Sequence, residues 1–103
     1  MAIATILEHP GQSQAQAEQI QAHVRSTGPV PPEGARLVIA GTANPGWRVI
    51  TVWDSVADRE RFFTERLSPA FEQAGLSLSD TKRTQFDIQM LIAGDLTGAP
   101  QPA

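Results

Sequence analysis

The chain has 103 residues, of which 41% are hydrophobic and 18% are charged, and its net charge is −3. This is the size and composition of one globular domain, and the excess of acidic over basic residues argues against nucleic acid as a partner. Because there is no cysteine, disulfides, thiolate catalysis and thiolate-bound metals are excluded. No apolar run is long enough for a membrane span, and residues 1–7 lack the basic and long apolar regions of a signal peptide. We therefore expect a cytoplasmic protein with no membrane partner.

Four segments have the residue pattern of β-strands: 2–7, 35–40, 47–54 and 83–92. The third alternates two sets of side chains, Trp47, Val49, Thr51 and Trp53 on one face and Arg48, Ile50, Val52 and Asp54 on the other. Because neither face is simply polar, we expect a central strand that is covered on both sides. A short turn over 41–46 joins the second and third strands as a hairpin.

Two segments have helical periodicity. Ser13 precedes apolar residues spaced by three and four, so we expect it to cap the first helix, and Ser55 is the expected cap of the second. A proline inside a helix usually breaks it, so Ser68-Pro69 predicts a break and the start of a short final helix. That helix is expected to end at Gly75.

The resulting order, β-α-β-β-α-β, is that of a ferredoxin-like α+β domain, in which a four-stranded antiparallel sheet has its helices on one face. We expect this domain to span residues 1–93. The tail 94–103 contains two prolines and no periodic pattern. It is therefore expected to be disordered.

A set of short motifs, spread over the predicted domain, carries a family resemblance. They are Pro31-Pro32-Glu33-Gly34, Gly46-Trp47-Arg48-Val49, Val52-Trp53-Asp54-Ser55, Phe62-Phe63, Arg66-Leu67, Pro69-Ala70-Phe71 and Gly75. With them the chain resembles the dimeric α+β barrel superfamily, and within it small proteins similar to antibiotic biosynthesis monooxygenases. The resemblance implies a homodimer with the two sheets face to face. This agrees with the apolar strand faces, because a monomer would expose a large apolar patch.

The resemblance also points to a ligand site. Monooxygenases of this family oxidise acidic phenols without a cofactor, in a pocket of polar and aromatic groups. The resemblance therefore makes Trp47 and Trp53 candidate stacking residues, and Arg36 or Arg48 a candidate for stabilising an enolate or phenolate. His9 lies at a strand end that borders the expected cavity, and Asp87 is unusually polar for a strand. Asp87 faces solvent at an edge, or it lines a polar pocket with Thr51 and Arg48. The predicted ligand-binding residues are Trp47, Arg48, His9, Thr51 and Asp87, with no metal and no cofactor.

Other chemistries find little support. The second helix has no histidine, and the chain's single asparagine, Asn44, fits a turn, which disfavours haem degradation. There is no Gly-x-Ser-x-Gly elbow and no phosphate-binding glycine loop. The interpretation of Trp47 and Trp53 as core anchors is favoured over a ligand role, more so for Trp53, and His9 and His23 are favoured as surface or loop residues. Two functions stay open: binding of a small aromatic or polyketide-like metabolite, with cofactor-independent oxygenation or cyclisation, and a non-catalytic binding or structural dimer.

Overall fold

The structure, a computed structural model, describes residues 2–44, 46–92 and 94. Its elements are β1 (Ile3–Pro10), α1 (Gln14–Thr27), β2 (Ala35–Thr42), β3 (Gly46–Trp53), α2 (Val56–Phe62), a π-helical turn (Phe63–Leu67), α3 (Ser68–Gln73) and β4 (Lys82–Asp87). The strand order is β2-β3-β1-β4, and all neighbouring strands are antiparallel. The predicted ferredoxin-like α+β fold is confirmed. The predicted domain limit at 93 and, Gly94 apart, the predicted tail lie outside the described residues.

Strand alternation gives the sheet one face toward the helices and one open face. On β1 and β3 the odd-numbered residues face the helices, as Leu7 does beside Val49. The even-numbered residues, such as Ile6 beside Ile50, lie on the open face. An irregularity at residues 35–37 shifts the alternation on β2, so that its even-numbered residues join the helix face. None of the helices in the described part of the chain has both the length and the apolarity to cross a membrane.

Both predicted serine caps are confirmed. Ser13 Oγ accepts a hydrogen bond from the Gln16 amide, and Gln16 Oε1 accepts one from the Ser13 amide, which completes a capping box. Ser55 Oγ likewise accepts from the Asp58 amide at the start of α2. The buried stripe of α1 packs in one core cluster with β1 and α3; this cluster contains Leu7, Ile20, Val24, Leu67, Ala70 and Phe71.

The predicted helix break at Ser68-Pro69 is wrong. Leu67 and Ser68 both have helical backbone angles, and the Ser68 amide donates to the carbonyl of Phe63 five residues earlier. Pro69 has no N–H, and its ring would press on the carbonyl four residues before it. The wider π-helical turn accommodates this, so the helical path bends through the proline instead of ending there. Its predicted end at Gly75 is confirmed, with a φ of +72° there.

The last strand is shorter than predicted, because it ends at Asp87 and not at Ile92. Asp87 pairs with Ile3, the first residue of β1, so the residues that follow have no neighbouring strand. Met90, Leu91 and Ile92 are 78%, 64% and 86% exposed. An exposed apolar segment therefore follows β4.

Candidate functional site

A cavity of about 450 Å³ lies between the sheet and the helices. It exists because the narrow apolar stripe of α1 packs on α3 and the π-helical turn, which leaves the β2–β3 half of the sheet thinly covered. Its walls are mainly apolar and aromatic, and include Leu7, Ile20, Val24, Val38, Val49, Phe62, Phe63, Leu67 and Phe71. Both the volume and this lining are typical of small-molecule sites.

Few polar side chains line this large cavity. They are His9, Gln12, Gln21, Arg36 and Thr51, with the indoles of Trp47 and Trp53. Arg36 has a side chain that is 70% exposed and pairs with Asp54 at 2.7 Å, so it belongs to the rim. His9 is therefore the one titratable side chain of the inner wall within the described residues. In the same part of the chain no three His, Asp or Glu side chains are grouped so as to hold a metal.

His9 lies inside the sheet, because β1 runs to Pro10, further than the sequence predicted. It pairs in register with Trp47 and is 6% exposed. Its Nδ1 lies 2.8 Å from Thr81 Oγ1, and its ring is tilted against Phe71 at 5.3 Å between centroids. Burial lowers the pKa of His9 below its ordinary value, because the charged form loses hydration. The ring is therefore neutral near pH 7.

The backbones of β1 and β3 approach closely where His9 pairs with Trp47. A Cβ at Gly46 would overlap the carbonyl oxygen of His9 and the amide nitrogen of Gly11. Neither atom belongs to a flexible side chain, so only glycine fits at 46 without moving the backbone. The strand start that carries Trp47 thus depends on the glycine before it.

Trp53 lies at the opposite end of β3 from Trp47, on the same face of the strand. It is 1% exposed, and its ring centroid lies 5.5 Å from that of Phe62. Its Nε1 is buried and has no hydrogen-bond partner among the described residues. Trp47, by contrast, is half-buried. Of the two tryptophans, Trp53 has the burial of a core anchor, and Trp47 is the more open to a ligand.

The aromatic wall opposite the sheet is fixed by Arg66. The rings of Phe62 and Phe63 lie 6.2 Å apart in an edge-to-face arrangement, and the Arg66 guanidinium lies 5.4 Å from the Phe62 ring centroid. Arg66 Nη2 also donates to the carbonyl of Val24 at 2.7 Å, and Nε donates to Thr27 Oγ1 at 3.3 Å. One side chain therefore ties the aromatic wall to the end of α1.

The chain matches no protein-family model and no curated protein sequence. Its fold does match solved structures. A candidate antibiotic biosynthesis monooxygenase from Deinococcus radiodurans has a TM-score of 0.54 at 17% identity, over 90% of this chain and 97% of that one. A protein of unknown function from Nitrosomonas europaea has a TM-score of 0.56 at 20% identity, over 90% of this chain and 94% of that one. The chain has the antibiotic biosynthesis monooxygenase-like fold.

Within this monooxygenase-like fold, three of the five predicted ligand-binding residues come together. His9, Trp47 and Thr51 all line the large cavity. Arg48 does not, because strand alternation places it on the open face, where Nη2 pairs with Glu8 at 3.3 Å. Ligand binding by the three that line the cavity stays a prediction.

Asp87 also lies apart from the cavity. It is an exposed residue at the end of β4, and β1 separates β4 from β3. Of the two alternatives drawn from the sequence, exposure at a sheet edge is the one that the structure shows. A polar pocket shared by Asp87, Thr51 and Arg48 is therefore wrong.

Sequence reasoning missed Thr81, the partner of His9. It falls in the polar connector 76–82, where nothing in the local pattern separates it from neighbouring serines. His9 and Thr81 are 72 positions apart in the sequence, so their contact is a product of the tertiary fold alone. Gln12, just before the first helix, and Gln21 on its polar side were missed because both were expected to face solvent.

Proposed function

We propose that the protein binds a small, flat aromatic or polyketide-like metabolite in the large cavity, and that it does so as a homodimer. The observation that carries this proposal is the cavity of about 450 Å³ with aromatic walls and few polar groups. Phe62, Phe63 and Trp47 offer ring faces and edges to a planar ligand. The Deinococcus structure, a candidate monooxygenase of antibiotic biosynthesis, supports this ligand class at the level of the fold.

Within this proposal the reaction class is cofactor-independent oxygenation or cyclisation. Both reactions begin when a hydroxyl or an activated C–H of the ligand loses a proton, which leaves an electron-rich phenolate or enolate. A neutral imidazole on the cavity wall suits the role of proton acceptor. His9 lines the cavity, and burial lowers its pKa, and both observations support this role for it. The apolar walls keep water away from the anion that results.

The open sheet face supports the homodimer. Ile39 and Phe86 on this face are 53% and 56% exposed, and Ile6 and Ile50 beside them are half-buried. Soluble monomers seldom leave such a contiguous apolar patch in water. A two-fold axis between facing sheets would bury the same patch on both copies.

Binding is tested by isothermal titration calorimetry with 1-naphthol, a planar phenol small enough for the cavity. We expect saturable binding to the wild type and a loss of at least about tenfold in affinity for Val49→Phe, which fills the cavity from β3. The control is Val56→Phe on α2, an exposed valine outside the lining, which should bind like the wild type. Absence of saturable binding to the wild type, or unchanged affinity in Val49→Phe, contradicts the proposal.

A further inference from the structure

His9 forms part of the walls of two cavities. One is the large cavity, and the other is a small cavity of about 140 Å³. The small cavity is also lined by Gly11, Ser77 and Asp80, all exposed, so it communicates with solvent. A water molecule takes about 30 Å³ in the liquid, so this space is large enough for several.

The ring is oriented between the two spaces by one hydrogen bond. Nδ1 lies 2.8 Å from Thr81 Oγ1, and Thr81 lines the small cavity but not the large one. The two nitrogens of an imidazole ring point in different directions. Because Nδ1 is hydrogen-bonded to Thr81 on the small cavity, Nε2 is the nitrogen available to a ligand in the large cavity. This is the arrangement by which one side chain can take up a proton on one side and release another on the opposite side.

We propose that His9 carries protons between the two cavities and that Thr81 passes them on to water in the small cavity. A proton taken from a bound ligand would then reach solvent without moving back through the large cavity. The ligand half of this inference rests on the proposed function. The exchange of the His9 proton through Thr81 does not, and it can be measured on the free protein.

Each step conserves atoms and charge. At the start Nδ1–H donates to Thr81 Oγ1, and the Nε2 lone pair is free. The ligand O–H bond breaks, an Nε2–H bond forms, and the electron pair stays on the ligand oxygen. The Nδ1 proton then passes to Thr81 Oγ1, whose own proton moves to water in the small cavity. Return of the Nε2 proton to the product, with a proton re-entering at Nδ1 from Thr81, restores the first tautomer of His9.

Burial, and not a neighbouring charge, favours a neutral resting state of His9. Phe71, whose ring is tilted against that of His9 from α3, and Trp47, the register partner of His9 on β3, are uncharged. Among the described residues, the charged side chain that lines the small cavity is Asp80, and the one that lines the large cavity is Arg36. Burial lowers the pKa of His9, so near pH 7 the ring is ready to accept a proton rather than already charged.

The test is ¹⁵N NMR of the imidazole groups in wild type, Thr81→Val and Thr81→Ser. His23, on α1 outside both cavities, serves as an internal reference. Wild type and Thr81→Ser should show the same His9 tautomer and the same solvent exchange of its N–H. Thr81→Val should change the tautomer ratio and slow this exchange by at least about tenfold. Thr81→Ala serves as a second variant without the hydroxyl if valine does not fit.

Two results overturn the inference. One is exchange in the hydroxyl-free variants within about twofold of wild type, with the tautomer unchanged. The other is a Thr81→Ser variant as altered as Thr81→Val, which would assign the effect to packing and not to the hydroxyl. Calorimetry with 1-naphthol separates this inference from the proposed function, because Thr81 lies outside the large cavity and Thr81→Val should still bind the probe. If wild type fails to bind 1-naphthol, only the proposed function falls; if exchange is unaffected, only the proton route falls.

Discussion

Arg66 donates a hydrogen bond from Nη2 to the carbonyl oxygen of Val24 at 2.7 Å, and this contact joins the π-helical turn to the last turn of α1. The last carbonyls of an α-helix have no partner within the helix, so a cation from a neighbouring element is a favourable one. The same guanidinium lies over the ring of Phe62. Val24 and Phe62 both line the large cavity, so Arg66 sets the spacing between two of its walls.

Replacing Arg66 with Met should lower the free energy of unfolding by about 2 kcal/mol, because a charge-assisted hydrogen bond to a helix end is lost. It should also weaken 1-naphthol binding, since two cavity walls lose their connection. Urea denaturation and calorimetry measure the two effects. Arg61→Met is the matched control, because Arg61 pairs with Asp58 at the surface and such a pair contributes less than about 1 kcal/mol. Equal losses in both variants would contradict this role for Arg66.

Gly46→Ala should destabilise the protein by about 2 kcal/mol or more, because the new Cβ overlaps main-chain atoms of His9 and Gly11 that cannot move alone. Gly41→Ala, in the neighbouring strand β2, is the control. No heavy atom lies within 4 Å of a Cβ built at Gly41, so its effect should stay within about 0.5 kcal/mol. Thermal and urea unfolding distinguish the two variants. A Gly46→Ala protein as stable as the wild type would show that the two strands do not approach so closely.

The two tryptophans should respond differently to phenylalanine. Trp47→Phe should change the free energy of unfolding by less than about 1 kcal/mol and lower the affinity for 1-naphthol, because Trp47 is half-buried on the cavity wall. Trp53→Phe should cost about 1 to 3 kcal/mol, since it leaves a void in a site that is 1% exposed. Removing the unpartnered Nε1–H recovers part of this cost. Equal destabilisation by the two variants would make Trp47 a core anchor as well.

The fold was predictable because its signals are local. The serine caps, the apolar strands and the glycine stop each act within a few residues, and together they specify the β-α-β-β-α-β order. The sequence predicted where a proline disturbs the second helix, but not how the helix responds. The sequence shows that Pro69 disturbs the helix, but a π-helical turn instead of a break is chosen by packing of the buried Leu67 and Phe71 in the core.

The site was predictable only where strand alternation decides it. Trp47 and Thr51 share a face by counting alone, and the same counting separates them from Arg48. The position of His9 depended on β1 continuing to Pro10, which is allowed because the last residue of the strand lies opposite Gly46. Its contact with Thr81 arises from how the connector after α3 lies against β1, and no periodic pattern encodes that.

Phe86→Glu should convert the homodimer to a monomer, because it places a charge in the open apolar face that we propose as the interface. Val56→Glu is matched to it, since Val56 is 45% exposed but lies on α2, on the helix side of the sheet. Light scattering at micromolar concentration should give dimers for wild type and Val56→Glu and monomers for Phe86→Glu. A monomeric wild type, or a dimeric Phe86→Glu protein, would contradict the proposal that the open face is the dimer interface.

The stability of the protein should fall on acidification in a way that depends on His9. Burial lowers the pKa of His9 in the folded state below the value of 6.5 that it has when unfolded. Between these two pKa values the unfolded chain binds the proton more readily, so stability rises with pH there. The contribution of the neutral ring is therefore fully present above pH 6.5 and is lost as the pH falls through the lowered pKa of the folded state.

His9→Gln removes the titrating group and keeps a side chain that can hydrogen-bond to Thr81. The free-energy difference between wild type and His9→Gln should accordingly shrink from about pH 8 to about pH 5, while the titration of carboxylates, common to both proteins, cancels. Urea unfolding at the two pH values measures this difference. A wild-type advantage over His9→Gln that grows on acidification would mean that His9 is held in its charged form, and the buried neutral ring on which the proton route depends would be excluded.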